Sequence, residues 1–250
     1  AIGYDALNAN TTAANNTAVG MNSLVANTTG HSNTAVGFEA GAANTTGIRL
    51  TAFGYQAGKA HVATGNVQNV FVGNEAGLGN TTGVTNTFIG GSAGAANTTA
   101  ANNVAVGTNS LGANTTGATN TALGTSSLQA NTTASNNTAV GHGSLAANTT
   151  GTRNNSLGNS SLVANTTGDN NVALGSQALQ SNTTADDNTA VGYAALNLNT
   201  TGAENTAVGK FALLSNTTAS YNTAVGEGAL QVTTTGQANT ALGVDVLVAN

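Results

Sequence analysis

One phrase limits what this chain can fold into more than any other property. NTAVGMNSLVANTTGHS, residues 16–32, is followed at once by NTAVGFEAGAANTTGIR, residues 33–49. The glycine closing each "xAVG" phrase falls at 3, 20, 37, 54, 73, 90, 107, 124, 141, 158, 175, 192, 209, 226 and 243. Thirteen of the fourteen intervals are 17 residues, and the interval from 54 to 73 is 19. A fixed period of this kind marks one structural unit repeated, in which stacked neighbours bury a core that no single unit could bury. A disordered linker of the same composition would need no phase.

With that glycine as position zero, the slots acquire roles. Position −1 is always apolar (Ile2, Val19, Val36, Phe53, Leu123, Leu157), and −3 is mostly Thr with Val70, Val104 and Val172 in its place. Side chains alternate along a strand, so −3 and −1 share a face. Their size and apolarity mark that face as the core. Position +4 is Leu in eleven repeats, positions +7 to +9 read Asn-Thr-Thr in nearly all, and +10 is mostly Gly or Ala. Gly, Asn and Thr are weak helix formers, and no 3.6-residue stripe runs through the unit. The expectation is an all-β chain: a β-solenoid (β-roll) of about fifteen 17-residue coils, one domain over residues 1–250, with an irregular 19-residue coil around 55–73.

Charge then falls into place. Charged residues are 5% of the chain, and only four are basic. Clustered Lys and Arg, the footprint of nucleic-acid binding, are therefore excluded. Asp5, Glu39, Glu75, Lys210, Glu227 and Asp245 sit at +1 or +2, whereas Arg49, Arg153, Asp169, Asp186, Asp187 and Glu204 sit at +11 or +12. These two stripes read as solvated corners, and they also hold Tyr4, Tyr55, Tyr193 and Tyr221. Zero cysteines exclude disulfides and thiolate metal sites. No apolar run approaches the ~18 residues of a membrane span, so no membrane insertion is expected.

Position −2 is Ala in twelve repeats, Ser156 in one, and Phe71 and Phe88 in two. It points away from the −3/−1 face yet is never charged, and strands apolar on both faces are normally covered on both. Ala18, Ala35, Phe71, Phe88, Ala139 and Ala190 are therefore expected to form an interchain face. Four consecutive coils replace the +4 Leu by Gly41, Gly58, Gly77 and Gly94. The same stretch carries Phe53, Phe71 and Phe88 in normally smaller slots, a gain of volume beside the lost Leu. Phe53 is expected to refill the core directly; for Phe71 and Phe88 two readings stand open, core compensation or a thicker interchain contact.

Chemistry-bearing groups are sparse. His31, His61 and His142 occupy different repeat positions, and no paired-carboxylate, metal-ligand or Ser-His-Asp pattern is present. No catalytic, cofactor-binding or metal residue is assigned, no cofactor is implied, and the chain is expected not to be an enzyme. Asn-Thr-Thr is formally an N-glycosylation sequon and appears twelve times. Glycans on coils ~4.8 Å apart would collide. The expected role is instead a structural ladder, represented by Asn27, Asn114, Asn131, Asn148 and Asn165, with each amide bonded to its neighbour above and below. In the irregular coil, KAHVATGNVQ (59–68) stands where the Asn-Thr-Thr phrase belongs. Lys59 and His61 are the candidate contact site there.

The phrase NTAVG followed by xxAL or xxSL, carried for example by Thr17, Ala18, Val19, Gly20, Ser23, Leu24 and then Asn27, Thr28 and Thr29, resembles the repeats of YadA-like heads in trimeric autotransporter adhesins. It is similar as well to shaft repeats of bacterial and phage tail fibres. The resemblance covers the whole chain, although the unit is longer than the adhesin-head repeat. It implies a left-handed β-roll, a homotrimer or filament, and a place outside the cell, at the cell surface or on a virion. The function so implied is a non-enzymatic fibre segment, a stiff spacer with a potentially adhesive surface. Any cell-surface or glycan receptor would be engaged through parts outside these residues. Two rival readings have their own tests. An ice-binding solenoid would use Asn at +7 and Thr at +9 as flat polar rows, and requires both rows exposed. A carbohydrate-cleaving tailspike would need paired carboxylates, for which Glu39 and Glu75 at one corner are the candidates.

Overall fold

The computed structural model describes residues 1–248, which are all β, turn and bend with no helix. They fall into two compact units, Ala1–Thr125 and Ser126–Asn250. The first holds β1 (Thr17–Val19), β2 (Thr34–Val36), β3 (Gly47–Ile48), β4 (Thr51–Phe53), β5 (Gly65–Asn66), β6 (Val70–Val72), β7 (Thr87–Ile89), β8 (Val104–Val106) and β9 (Thr121–Leu123). The second holds β10 (Thr138–Val140), β11 (Asn155–Leu157), β12 (Val172–Leu174), β13 (Thr189–Val191), β14 (Thr206–Val208), β15 (Thr223–Val225) and β16 (Thr240–Leu242).

Each unit is a β-solenoid. Its three-residue strands pair in parallel and in register with the equivalent strand of the next coil. Ala18 lies opposite Ala35 in the first unit, and Ala173 opposite Ala190 in the second. The irregular coil absorbs its two extra residues one at a time. β3 pairs with β5 through Gly47 and Gly65, an offset of 18, and β4 pairs with β6 through Thr51 and Val70, an offset of 19.

Glycine at position zero ends each strand. Gly20 has φ 130°. A Cβ there would stand 2.5 Å from the backbone oxygen of Gly37 in the next coil, so both conformation and stacking demand glycine. The turn that follows is tight enough to hold two left-handed residues per coil, at +2 and +4, with a third at +12. In one coil these are Asn22, Leu24 and Ser32, at φ 58°, 49° and 60°. A leucine in that region is uncommon and costs of order 1–3 kcal/mol. Full burial of its side chain, worth ~1.5–3 kcal/mol, offsets the cost.

The facing of the strands corrects one expectation. Ala18, Ala35, Phe71, Phe88, Ala139 and Ala190, expected between chains, are buried inside the coil of one chain. The −3 and −1 side chains point outward, and Phe53, expected inside, is 54% exposed. The alternation holds, but side-chain size does not set its direction. The coil interior is too narrow for large residues at every level. It takes a small residue at −2, Ala or Ser at +3, and Leu at +4 (Ala18, Ser23 and Leu24).

Phe71 and Phe88 therefore fill the core rather than an interchain contact. A Cβ on Gly58 would meet Phe71 Cδ2 at 2.5 Å, one on Gly77 would meet Phe71 Cδ1 at 2.6 Å, and one on Gly94 would meet Phe88 Cδ2 at 2.5 Å. The two rings stack with centroids 5.5 Å apart. Gly41 is compensated differently, by Leu50, whose Cδ2 would stand 3.1 Å from an added Cβ.

Candidate functional site

Three polar columns bind coil to coil, and they are the most built feature of the chain. The first is the asparagine ladder at +7. Asn44 Nδ2 donates to Asn27 Oδ1 (3.2 Å), and Asn114 Nδ2 to Asn97 Oδ1 (2.9 Å). In the second unit Asn148 donates to Asn131 (3.1 Å) and Asn165 to Asn148 (2.9 Å). The other amide hydrogen of each goes to the +10 carbonyl of its own coil, as from Asn165 to Gly168 O at 3.0 Å. The ladder asparagines from Asn27 to Asn216 are fully buried. In the folded coil these sequons present no free amide.

A second column, at −4, was not assigned from the sequence. Asn33 Oδ1 accepts the backbone N–H of Leu50 (2.8 Å) while its Nδ2 donates to Gly47 O (2.9 Å). In the second unit Asn171 Oδ1 accepts from Asn188 N (3.0 Å), and Asn188 Nδ2 donates to Gly202 O (2.9 Å). The signal was present, since every −4 residue from Asn16 to Asn239 is Asn except Leu50. Both columns converge on the +10 carbonyl. Gly83 O takes Asn69 Nδ2 at 2.8 Å and Asn80 Nδ2 at 2.9 Å, which uses both lone pairs. The third column is the +8 threonine, whose hydroxyl donates to the threonine carbonyl of the next coil, as from Thr149 to Thr166 O at 3.0 Å.

Most +9 threonines, such as Thr29, Thr82 and Thr150, stay exposed (Thr46 is half-buried), but the +7 asparagines beside them do not. The two-row polar array required for ice binding thus keeps only one row on the surface.

The outward strand face consists of the −3 and −1 side chains and carries no charge in any repeat. Val19, Val36 and Val191 are half-buried, and Leu157 is 51% exposed. Backbone register keeps both rows aligned within each unit.

The corners hold the charges. Lys59 Nζ pairs with Glu39 Oε2 at 2.7 Å, and Gln56 Nε2 donates to the same oxygen at 2.8 Å. Lys59, then Gln56, hold the Glu39 carboxyl below the usual range. Phe38 and Tyr55 stack beside them, with centroids 5.4 Å apart. A similar corner in the second unit sets Lys210 over the Phe211 ring (4.8 Å) and against Glu227 (2.9 Å), with Tyr193 edge-on to Phe211.

The candidate contact pair is split by the fold. Lys59 reaches the surface, but His61 is fully buried. It occupies the ladder slot between Asn44 and Asn80, with Asn80 Nδ2 3.0 Å from its Nδ1 and the Phe71 ring edge-on. Burial pushes its imidazole down to about 4. Among the described residues no three His, Cys, Asp or Glu side chains are grouped to hold a metal, and no helix is long and apolar enough to cross a membrane. No family model, curated protein or solved structure matches this chain.

Proposed function

We propose that this chain is a structural, non-enzymatic fibre or filament segment, a stiff spacer of the adhesin-head or tail-fibre-shaft kind, working outside the cell or on a virion surface. The observation that carries this reading is the side-chain bonding between coils. Asparagine and threonine columns reinforce the backbone ladder at several points of each turn, so each coil resists shear against its neighbour. Material invested in every coil alike supports a mechanical role, because a localised site would concentrate unusual residues in one place.

The reading includes self-association as a homotrimer or filament. Its surface is the outward −3/−1 face, not the −2 alanines. An aligned apolar and threonine face, uncharged through fifteen repeats, is the surface that gains most from being covered. A partner with the same period would match it coil for coil, and a second copy of the chain has that period. Sedimentation equilibrium of the whole chain tests the proposal together with negative-stain imaging. The expected result is a mass that is an integral multiple of one chain, in elongated particles. A single-chain mass at micromolar concentration would overturn the association, and particles that bend freely would overturn the spacer.

A further inference from the structure

The +7 column follows one rule: each asparagine oxygen accepts from the asparagine one coil later. It breaks where that later residue is something else. In the first unit Asn44 is followed by His61, and in the second unit Asn216 is followed by Thr233. The buried side-chain polar atoms left without a hydrogen-bond partner among the described residues are Asn44 Oδ1, Thr46 Oγ1, His61 Nε2, Asn216 Oδ1 and Thr233 Oγ1. Four of the five sit on the residues that flank the two breaks, Asn44 with His61 and Asn216 with Thr233. Unpaired polar atoms of this kind are rare in folded proteins and are usually satisfied by buried water.

We propose that each break in the asparagine column is a binding site for a single buried water molecule that completes the ladder. The dimensions fit. Equivalent side chains in adjoining coils are about 4.8 Å apart. Two groups that each bond one water oxygen at ~2.8 Å, at a tetrahedral angle, lie about 4.6 Å apart. Asparagine closes the gap directly because its amide nitrogen reaches toward the next coil. The hydroxyl of Thr233 sits one bond closer to the backbone and falls short. The His61 ring is turned to meet Asn80.

The hydrogen-bonding roles also fit. The Asn80 amide is fixed by two other bonds, since its Oδ1 accepts from Asn97 Nδ2 and its Nδ2 donates to Gly83 O. Its remaining N–H therefore points at His61 Nδ1, which must be an acceptor. The neutral ring then carries its proton on Nε2. A water at the first break accepts that proton's bond and donates to Asn44 Oδ1. At the second break the Thr233 hydroxyl and Asn216 Oδ1 bracket the site. A metal ion fits neither. The Nε2 proton blocks ligation at the first, and the second offers only neutral oxygens, with no carboxylate to balance a buried charge.

Crystals of the whole chain that diffract well enough to show ordered solvent test this directly. The expected result is one solvent peak between Asn44 Oδ1 and His61 Nε2 and another between Asn216 Oδ1 and Thr233 Oγ1. Oxygen-17 magnetic relaxation then counts long-lived waters in solution. His61→Asn and Thr233→Asn restore the column, and each should remove one such water from the count. Dry breaks, side chains rotated into direct bonds, or a peak at metal-ligand distances would overturn the proposal. So would an unchanged water count in both folded variants. The wild-type crystal decides even where a variant fails to fold.

Discussion

Inside a coil, the −2 and +4 side chains compete for one volume, and this explains most of the residue choices. Ala pairs with Leu in the ordinary coils, and Phe pairs with Gly where Phe71 and Phe88 appear. Transplanting the swap tests the rule. Ala173→Phe alone should destabilise the chain by about 1–3 kcal/mol through overpacking. Adding Leu162→Gly and Leu179→Gly, the +4 residues of the coil before and of the same coil, should recover much of that loss. Denaturant midpoints compare the three proteins, and a triple variant weaker than the single one would refute the shared volume. Position zero is stricter. Gly141 has φ 130°, and a Cβ there would stand 2.5 Å from Gly158 O. Gly141→Ala should cost roughly 3 kcal/mol through strain in the backbone itself, with no flexible side chain to yield. A denaturant midpoint equal to that of the parent chain would show that the coils can part to admit a methyl group.

At the scale of the single coil, the irregular turn around His61 is where acid should act first. Its folded imidazole lies at about 4 against an ordinary 6.5. The unfolded coil therefore binds the proton more tightly. The stability of this coil is complete above pH 6.5 and falls as the pH drops toward 4, where the loss levels off. The full loss is roughly 3 kcal/mol for the shift from 6.5 to about 4. Protonation would also set Nδ1–H against the Asn80 N–H. The charged groups of this corner, Lys59 and Glu39, are paired with each other at 2.7 Å and give the ring no counter-ion. Hydrogen exchange over residues 55–73, corrected for its intrinsic pH dependence, should accelerate between pH 6.5 and 4. His61→Asn should remove the acceleration, and an acceleration that persists in that variant would assign it elsewhere.

The coil is also where the sequence was most and least informative. Period, strand position, the +7 ladder and the charged corners were all legible, because each is a repeated chemical type in a fixed slot. The sign of the strand face was not, because Thr17-Ala18-Val19 is apolar enough on both faces to be read either way. What decides it is the narrow interior, a property of the closed coil and not of any three residues. The −4 asparagines were visible as a column, but nothing in the letters showed that their amides bridge coils. Lys59 and His61 were adjacent enough to suggest one site, and only the inward turn of the ladder slot separates them.

Across the molecule, charge is confined to corners, so the proposed self-association rests on the broad, uncharged strand face. Two substitutions in the second unit separate folding from association. Ala139→Asp places a carboxylate inside the coil with no counter-charge, and should unfold or severely destabilise the unit, by roughly 3 kcal/mol or more. Leu157→Asp places the same charge on the −1 row, where the side chain is already 51% exposed. It should leave the far-ultraviolet circular dichroism and the thermal midpoint of the isolated chain nearly unchanged. Repeated at Leu174 and Val191, which follow at the same position in the next two coils, it builds a carboxylate stripe ~4.8 Å between members. Like charges at that spacing repel one another and lose hydration if covered, so a partner copy should be released. Sedimentation velocity of this triple variant should show a single folded chain under conditions where the parent associates. If the triple variant still assembles as the parent does, the outward face is not the interface.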